Sequence, residues 1–274
     1  ASSQVTVAFG SSVTCTINNN DNTSSLTLVK TVTNDNGGTA TTANFPLTAT
    51  GPSTITGTSG AGSVTNAAVN AGTYTLSETT VANYTAGAWS CSNGGGASSQ
   101  VTVVFGSSVT CTINNNDNKS KLTLVKTVTN DNGGTKTAAD FPLTATGPST
   151  ITGTSGATAV TNALVNAGAY TLSETTLTGY TPSAWSCSNG GGASSQVTVA
   201  FGSSVTCTIN NNDKPATLTV CKYLKGASTT FNYSSTGGLP SGGTFTLTPP
   251  GAACTPPAGT GNTSDQIVFN NLSA

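Results

Sequence analysis

Histidine, methionine and arginine are missing altogether from this sequence, and charge of either sign is scarce: 8 lysines and 9 acidic residues among 274 positions, with a net charge of -1. So few lysines make no basic face for a nucleic acid, and so few carboxylates make no acidic face for a basic partner. Serine is abundant, but there is no imidazole to activate it and no G-x-S-x-G elbow, which removes the usual hydrolase arrangements. Gly94-Gly95-Gly96 lacks the following helix and the Lys-Ser/Thr that a phosphate loop needs. No apolar run approaches the length of a membrane span. No signal peptide is present either, an absence without weight in a chain that begins in the middle of a repeat. The sequence implies no outside substrate, no cofactor and no metal.

Glycine, threonine, serine and asparagine fill the space, with valine and leucine spaced among them. Low charge with low hydrophobicity borders on disorder, yet disordered chains carry high net charge and few β-branched residues. Here apolar residues alternate with hydroxyl residues, as in Val101-Thr102-Val103 and Leu122-Thr123-Leu124, the period-2 pattern of half-buried strands. The chain also repeats itself. Lys30 recurs at Lys126, Glu78 at Glu174, Trp89 at Trp185 and Cys91 at Cys187, each 96 residues on, and residues 22–117 and 118–213 differ at 15 of 96 positions. The first 21 residues repeat 97–117 with one change, Ala8 for Val104. A period this long exceeds a solenoid rung and equals a small domain.

The expected organisation is the C-terminal hairpin of a preceding repeat at 1–20, complete β-sandwich repeats at 22–117 and 118–213, and the N-terminal part of a diverged repeat at 217–274. Strands are expected at 26–32, 45–50, 63–69, 73–79, 100–105 and 109–114. Between them lie Asn34-Asp35-Asn36-Gly37-Gly38, Gly51-Pro52, Asn70-Ala71-Gly72 and Asn93-Gly94-Gly95-Gly96, all turn chemistry. Short strands so punctuated, with no helical period anywhere, make the fold class all-β: tandem Ig-like β-sandwich domains in a linear array. The polar joint at 116–120 is only a few residues long, so a semi-rigid rod is expected.

Seven cysteines fit the repeat. Cys91 and Cys111 lie 20 residues apart, as do Cys187 and Cys207, and the diverged unit carries Cys221 and Cys254. Cys15 corresponds to Cys111, and its partner would fall before residue 1. With no CxxC and no histidine to complete a tetrahedral zinc site, disulfides are the expected pairing. They imply an oxidising, extracellular setting.

Strand parity singles out three polar residues per repeat. Leu26, Leu28 and Lys30 share one face, Tyr74, Leu76 and Glu78 another, and Val109, Cys111, Ile113 and Asn115 a third. Each apolar face thus carries one polar group into the core, where a lone lysine would be very costly. This order of a strand ending in lysine, a Gly-Thr-Tyr-Thr-Leu-Ser-Glu strand and a terminal Val-Thr-Cys-Thr-Ile-Asn-Asn strand resembles the Cna-B-type, SpaA-like prealbumin-fold domains of bacterial surface proteins and pili. The resemblance implies an intramolecular isopeptide bond, with Lys30 as nucleophile, Glu78 as acid/base and Asn115 as acceptor. In the second repeat the same roles fall to Lys126, Glu174 and Asn211. Burial lowers a lysine pKa and favours the neutral amine, and it favours a protonated carboxyl able to polarise the amide carbonyl. The run Asn114-Asn115-Asn116 leaves the acceptor open by one position, and parity selects Asn115. A buried Lys–Glu ion pair hydrogen-bonded to the asparagine, with no covalent bond, is the competing reading.

Partial sets stand at the ends: Asn19 in the acceptor position with Cys15 nearby, and Lys222 in the position of Lys30. They are expected to be cuts from a longer array rather than halves that exchange strands between subunits. The Asn34–Gly38 loop and the asparagine-aspartate run at 114–118 each hold one carboxylate, too few for a calcium site, and are expected to be turn and linker. Trp89 beside Cys91 is expected to pack in the core. The function expected is a structural cell-surface stalk or filament, whose partners are further repeats of the same chain or other copies. A multivalent adhesin binding glycan or protein through its repeats is the alternative.

Overall fold

The computed structural model describes residues 4–225, 227–234, 244–249, 251–252 and 263–272. The chain forms two compact units, Ala1–Asn118 and Lys119–Ala274. In the first, the alternating pattern becomes strand. β1 (Ser24–Thr33) buries Ser24, Leu26, Leu28 and Lys30 and turns the residues between them outward, as a two-residue pleat requires. β2 (Leu47–Thr50), β3 (Ile55–Gly57), β4 (Ala67–Val69), β5 (Gly72–Glu78), β6 (Tyr84–Ala86), β7 (Ser90–Cys91), β8 (Gln100–Val103) and β9 (Ser108–Asp117) follow.

These strands make two sheets. One has the order β4-β1-β9-β6, with β7 also pairing β9, and the other the order β3-β2-β5-β8. All pairings are antiparallel except that of β1 with β9, which is parallel from Ser25–Ser108 to Thr33–Asn116. The first and last strands of the repeat therefore lie side by side. Between the sheets sits one core in which Leu26, Leu28, Leu47, Ala49, Tyr74, Val101, Val103, Cys111 and Ile113 are almost or wholly buried. Each fully buried leucine contributes about 1.5–3 kcal/mol over an exposed one. Tyr74 is fully buried, and its hydroxyl donates to the Asn70 carbonyl at 2.7 Å, which satisfies the one polar atom it carries inward.

The disulfide Cys91–Cys111 ties β7 to the centre of β9, with Trp89 buried beside it. Gly96 makes this corner possible. It has φ +106°, and a Cβ there would lie 3.0 Å from the Trp89 backbone and 3.1 Å from Cys91 Sγ.

The structure redraws several expected strands. The segment 63–69 is strand only at Ala67–Val69, because Asn66 turns the chain with φ 49°. Val64 is nonetheless fully buried, and its carbonyl accepts the Leu28 N–H at 2.8 Å. Strand 45–50 begins at Leu47, after a 3-10 turn at Thr42–Asn44. Strand 100–105 ends at Val103, leaving Val104 and Phe105 exposed. The last strand runs three residues further than expected, to Asp117. β3, β6 and β7 are too short to show any period.

The second unit repeats the plan with β10 (Ser120–Thr129), β11 (Leu143–Thr146), β12 (Ile151–Gly153), β13 (Ala163–Val165), β14 (Gly168–Glu174), β15 (Tyr180–Pro182), β16 (Ser186–Cys187), β17 (Gln196–Val199) and β18 (Ser204–Asp213). β10 and β18 are again parallel, and Cys187–Cys207 is again joined. Beyond it β19 (Ala216–Leu224) pairs with β22 (Thr263–Leu272), and β20 (Phe231–Ser234) with β21 (Thr244–Leu247). Residues 4–20 match β8–β9 in sequence but form no strand, and Val5, Val7, Phe9 and Ile17 stay exposed with no sheet to receive them. The expected Cys221–Cys254 pairing falls on Cys254, outside the described residues.

Each disulfide closes a 20-residue separation, which in the chain-entropy view stabilises a repeat by about 3 kcal/mol. Replacing Cys91 and Cys111 together by alanine is expected to lower the calorimetric transition of the first repeat by that order and leave the second unchanged. An unshifted first transition would refute it.

Candidate functional site

Parallel pairing places Lys30 opposite Ile113 and Val32 opposite Asn115. Lys30 and Asn115 are thus diagonal neighbours on one face of the sheet, and both point into the core. β5 brings Glu78 to the same point from the facing sheet. Lys30 Nζ donates to Glu78 Oε2 at 2.5 Å and also to Asn115 Oδ1. The lysine side chain is wholly buried, and that of Glu78 is 7% exposed. Asn115 is the member of its run that meets the lysine. Asn114 and Asn116 face outward, and Asn114 Oδ1 accepts the Thr31 hydroxyl at 2.8 Å. The second repeat gathers the same residues. Lys126 Nζ lies 2.5 Å from Glu174 Oε2, and Asn211 is 1% exposed. There Asn211 Oδ1 and Glu174 Oε1 are buried with no hydrogen-bond partner among the described residues. A buried polar atom left so is uncommon enough to call for a chemical reason.

Burial holds Lys30 and Lys126 below the usual lysine range, against the opposing hydrogen bond and charge of Glu78 and Glu174. An aromatic ring covers each amine: Phe45 lies 4.7 Å from Lys30 Nζ and Phe141 4.8 Å from Lys126 Nζ. Such a face attracts the cation while keeping water away from it. Lys30 Nζ therefore touches a carboxylate, an amide oxygen and a ring, and Lys126 Nζ a carboxylate and a ring, each in a site closed to solvent. That arrangement suits proton transfer and attack on the amide.

A second cluster escaped the sequence reading. The Asn34–Gly38 loop and the 114–118 run, expected to be turn and linker, are joined by Asp117. This residue is 2% exposed and ends β9. Its carboxylate accepts the backbone N–H groups of Asp35 at 3.0 Å, Asn36 at 2.9 Å and Gly38 at 2.7 Å. The Asn36 side-chain amide donates to the Asp117 carbonyl at 2.9 Å. Gly38 has no room for a side chain, since a Cβ would run into Tyr84 and Asp117. Burial pushes the Asp117 carboxyl up, but its backbone donors and Asn36 outweigh this and hold it below the usual range. An oxygen pair so surrounded by N–H groups is built as an anion in a backbone cradle. The only signal for it in the sequence was the buried parity of Asp117, in line with Ile113 and Asn115.

At the ends, Cys15 and Asn19 are exposed, and Cys15 forms no disulfide among the described residues. Lys222 Nζ sits 4.2 Å from the centre of the Phe231 ring, the same contact that Lys30 makes with Phe45.

A family described as the SpaA-type prealbumin-like fold domain matches residues 21–113 and again residues 117–209. No curated protein matches the chain. Among solved structures, one titled the Bacillus anthracis TIE protein aligns over 90% of this chain and 44% of its own, at 11% identity and a TM-score of 0.39. This chain thus spans less than half the length of that one.

Because the folded pKa of Asp117 is depressed, its contribution to stability is complete above the unfolded value of about 3.9 and is lost as pH falls through the lower folded value. Asp117→Asn is expected to lower the stability of the first repeat at neutral pH and to flatten its decline below about pH 4. Denaturant titrations followed by Trp89 fluorescence in a Trp185→Phe background would test this. An unchanged acid slope would refute it.

Proposed function

The chain belongs to the SpaA-type prealbumin-like fold family, and from that membership we propose that it is a length of an extracellular bacterial surface stalk whose repeats crosslink themselves. The domains of this family are structural modules. The observation that carries the reading is the buried meeting, in the first repeat, of a lysine on the first strand, an asparagine on the last and a glutamate from the facing sheet, with the same three residues buried at the same positions in the second. In the proposed step Lys30 Nζ, as the neutral amine, attacks Asn115 Cγ while Glu78 donates a proton to the amide oxygen. The Nζ–Cγ bond forms, Glu78 carries the proton lost by Nζ to Nδ2, the Cγ–Nδ2 bond breaks, and the proton on the oxygen returns to Glu78 as the carbonyl re-forms. Ammonia leaves, and a neutral amide replaces an ion pair. In the second repeat Lys126, Glu174 and Asn211 play the same parts. The reaction happens once per repeat, as maturation and not turnover.

The topology supports a mechanical purpose. Chain enters a repeat at β1 and leaves it at the end of β9, and parallel pairing places these two points at opposite ends of the strand pair. Tension along the chain shears β1 against β9. A Lys30–Asn115 bond would carry that load covalently and leave residues 31–114 off its path, while Cys91–Cys111 secures part of what remains. The partners this implies are further repeats of the same chain and other copies in a filament. The disulfides fit an extracellular location.

Intact mass after reduction is the direct test. The chain is expected to weigh less than its sequence by two ammonia molecules. Glu78→Ala should restore one of them and Glu174→Ala the other, each without effect on the other repeat. A reduced protein at full sequence mass would leave only the buried ion pairs.

A further inference from the structure

The crosslink needs more than three residues in one core. Lys30 and Asn115 are not direct partners but diagonal ones, so the reaction depends on the β1–β9 register. A parallel pair has no hairpin turn to set that register. What lies beyond the end of the pair is the Asp117 cradle. The last aligned residues are Thr33 and Asn116, and the next residue of β9, Asp117, grips the chain just as it leaves β1, at Asp35, Asn36 and Gly38.

Tyr84 continues the closure. It pairs with Asp117 across β6 and β9, its hydroxyl donates to Asn34 Oδ1 at 2.7 Å, and it accepts the Ala40 N–H at 2.9 Å. Its ring meets Phe45 edge-on at 5.4 Å, and Phe45 is the ring over the Lys30 amine. The loop between β1 and Phe45 is thus fastened near both ends. The second repeat builds the same chain of contacts: Asp213 with the N–H groups of Asp131, Asn132 and Gly134, Tyr180 with Asn130 and Lys136, and Phe141 beside Tyr180. The one substitution among these residues, Ala40 to Lys136, falls where only the backbone N–H is used.

Resting on the crosslinking reading above, we infer that Asp117 and Tyr84, with Asp213 and Tyr180 in the second repeat, are positioning residues for the lysine–asparagine reaction. They latch the loop across the end of the strand pair, which holds Lys30 and Asn115 in register beneath a closed aromatic roof. A slip of β1 along β9 would tear Asp117 from three donors at once. A loose loop would lift Phe45 and admit water to the amine.

The test compares the two repeats within one molecule. The full chain is recovered reduced in denaturant and refolded by dilution, and samples are quenched over time. Peptide mass then follows ammonia loss in each repeat, and resistance to brief proteolysis follows its folding. In wild type both repeats should react at similar rates. In Asp117→Asn the first repeat should become protease-resistant yet lose ammonia at least tenfold more slowly than the second, and Asp213→Asn should reverse the order. Tyr84→Phe keeps the ring on Phe45 and removes only the hydroxyl, and should slow the first repeat several-fold. It also decides the matter if Asp117→Asn fails to fold. A folded variant repeat that reacts at the rate of its neighbour would overturn the latch. Absence of ammonia loss from both wild-type repeats would instead overturn the crosslink itself.

Discussion

Two strands far apart in sequence, β1 and β9, run side by side and in the same direction at the centre of one sheet, and the rest of each repeat is arranged around that pair. Because they are the first and last strands, the chain between them must leave the sheet, build the facing one and return. Closing a loop that long costs conformational entropy, which grows slowly with length, and only long-range contacts can offset it. The core supplies most of these through Leu26 and Leu28 on β1 and Val109, Cys111 and Ile113 on β9. The disulfide adds a covalent tie within that core, and the Asp117 cradle and the lysine site add polar ties beside it.

The lysine is the least expected of these ties. An ion pair taken out of water gains in attraction about what it loses in hydration, so Lys30 with Glu78 is a weak reason for stability by itself. Its value lies in what burial does to reactivity. Under the proposed reaction the charged pair is transient, and the folded repeat ends with a neutral amide linking its two central strands. The two glutamates of the chain are both found at this position, Glu78 and Glu174, in a sequence that otherwise uses aspartate.

Where the two repeats differ, the differences sit on the outside. Lys119, Lys121 and Lys136 replace Thr23, Ser25 and Ala40, and exposed Leu164 replaces Ala68. The residues of the lysine site, of the aspartate cradle and of the ring over the amine are the same in both. Solvent-facing positions of a sandwich tolerate such exchange because they make few contacts, whereas a core packed to near-crystalline density responds to a single methylene.

The period of 96, the all-β class, the disulfide pairs of the two full repeats and the faces carrying Lys30, Glu78 and Asn115 were legible in the sequence alone. All of these follow from local rules: side chains alternate along a strand, and a repeated sequence repeats its fold. Parity even separated Asn115 from the asparagines beside it. What local rules could not supply was which strands are neighbours. The short strands β3, β6 and β7 hold too few residues to display a period, and their pairing with β2 and β9 is imposed from outside. The strand expected over 63–69 was cut back by one left-handed residue, Asn66, whose turn is fixed by tertiary contacts. Above all, a loop at 34–38 and a strand end at 117 gave separate and ordinary signals. Only the parallel alignment of β1 with β9 brought the N–H groups of one to the carboxylate of the other, because pairing register is a property of two segments and is written in neither.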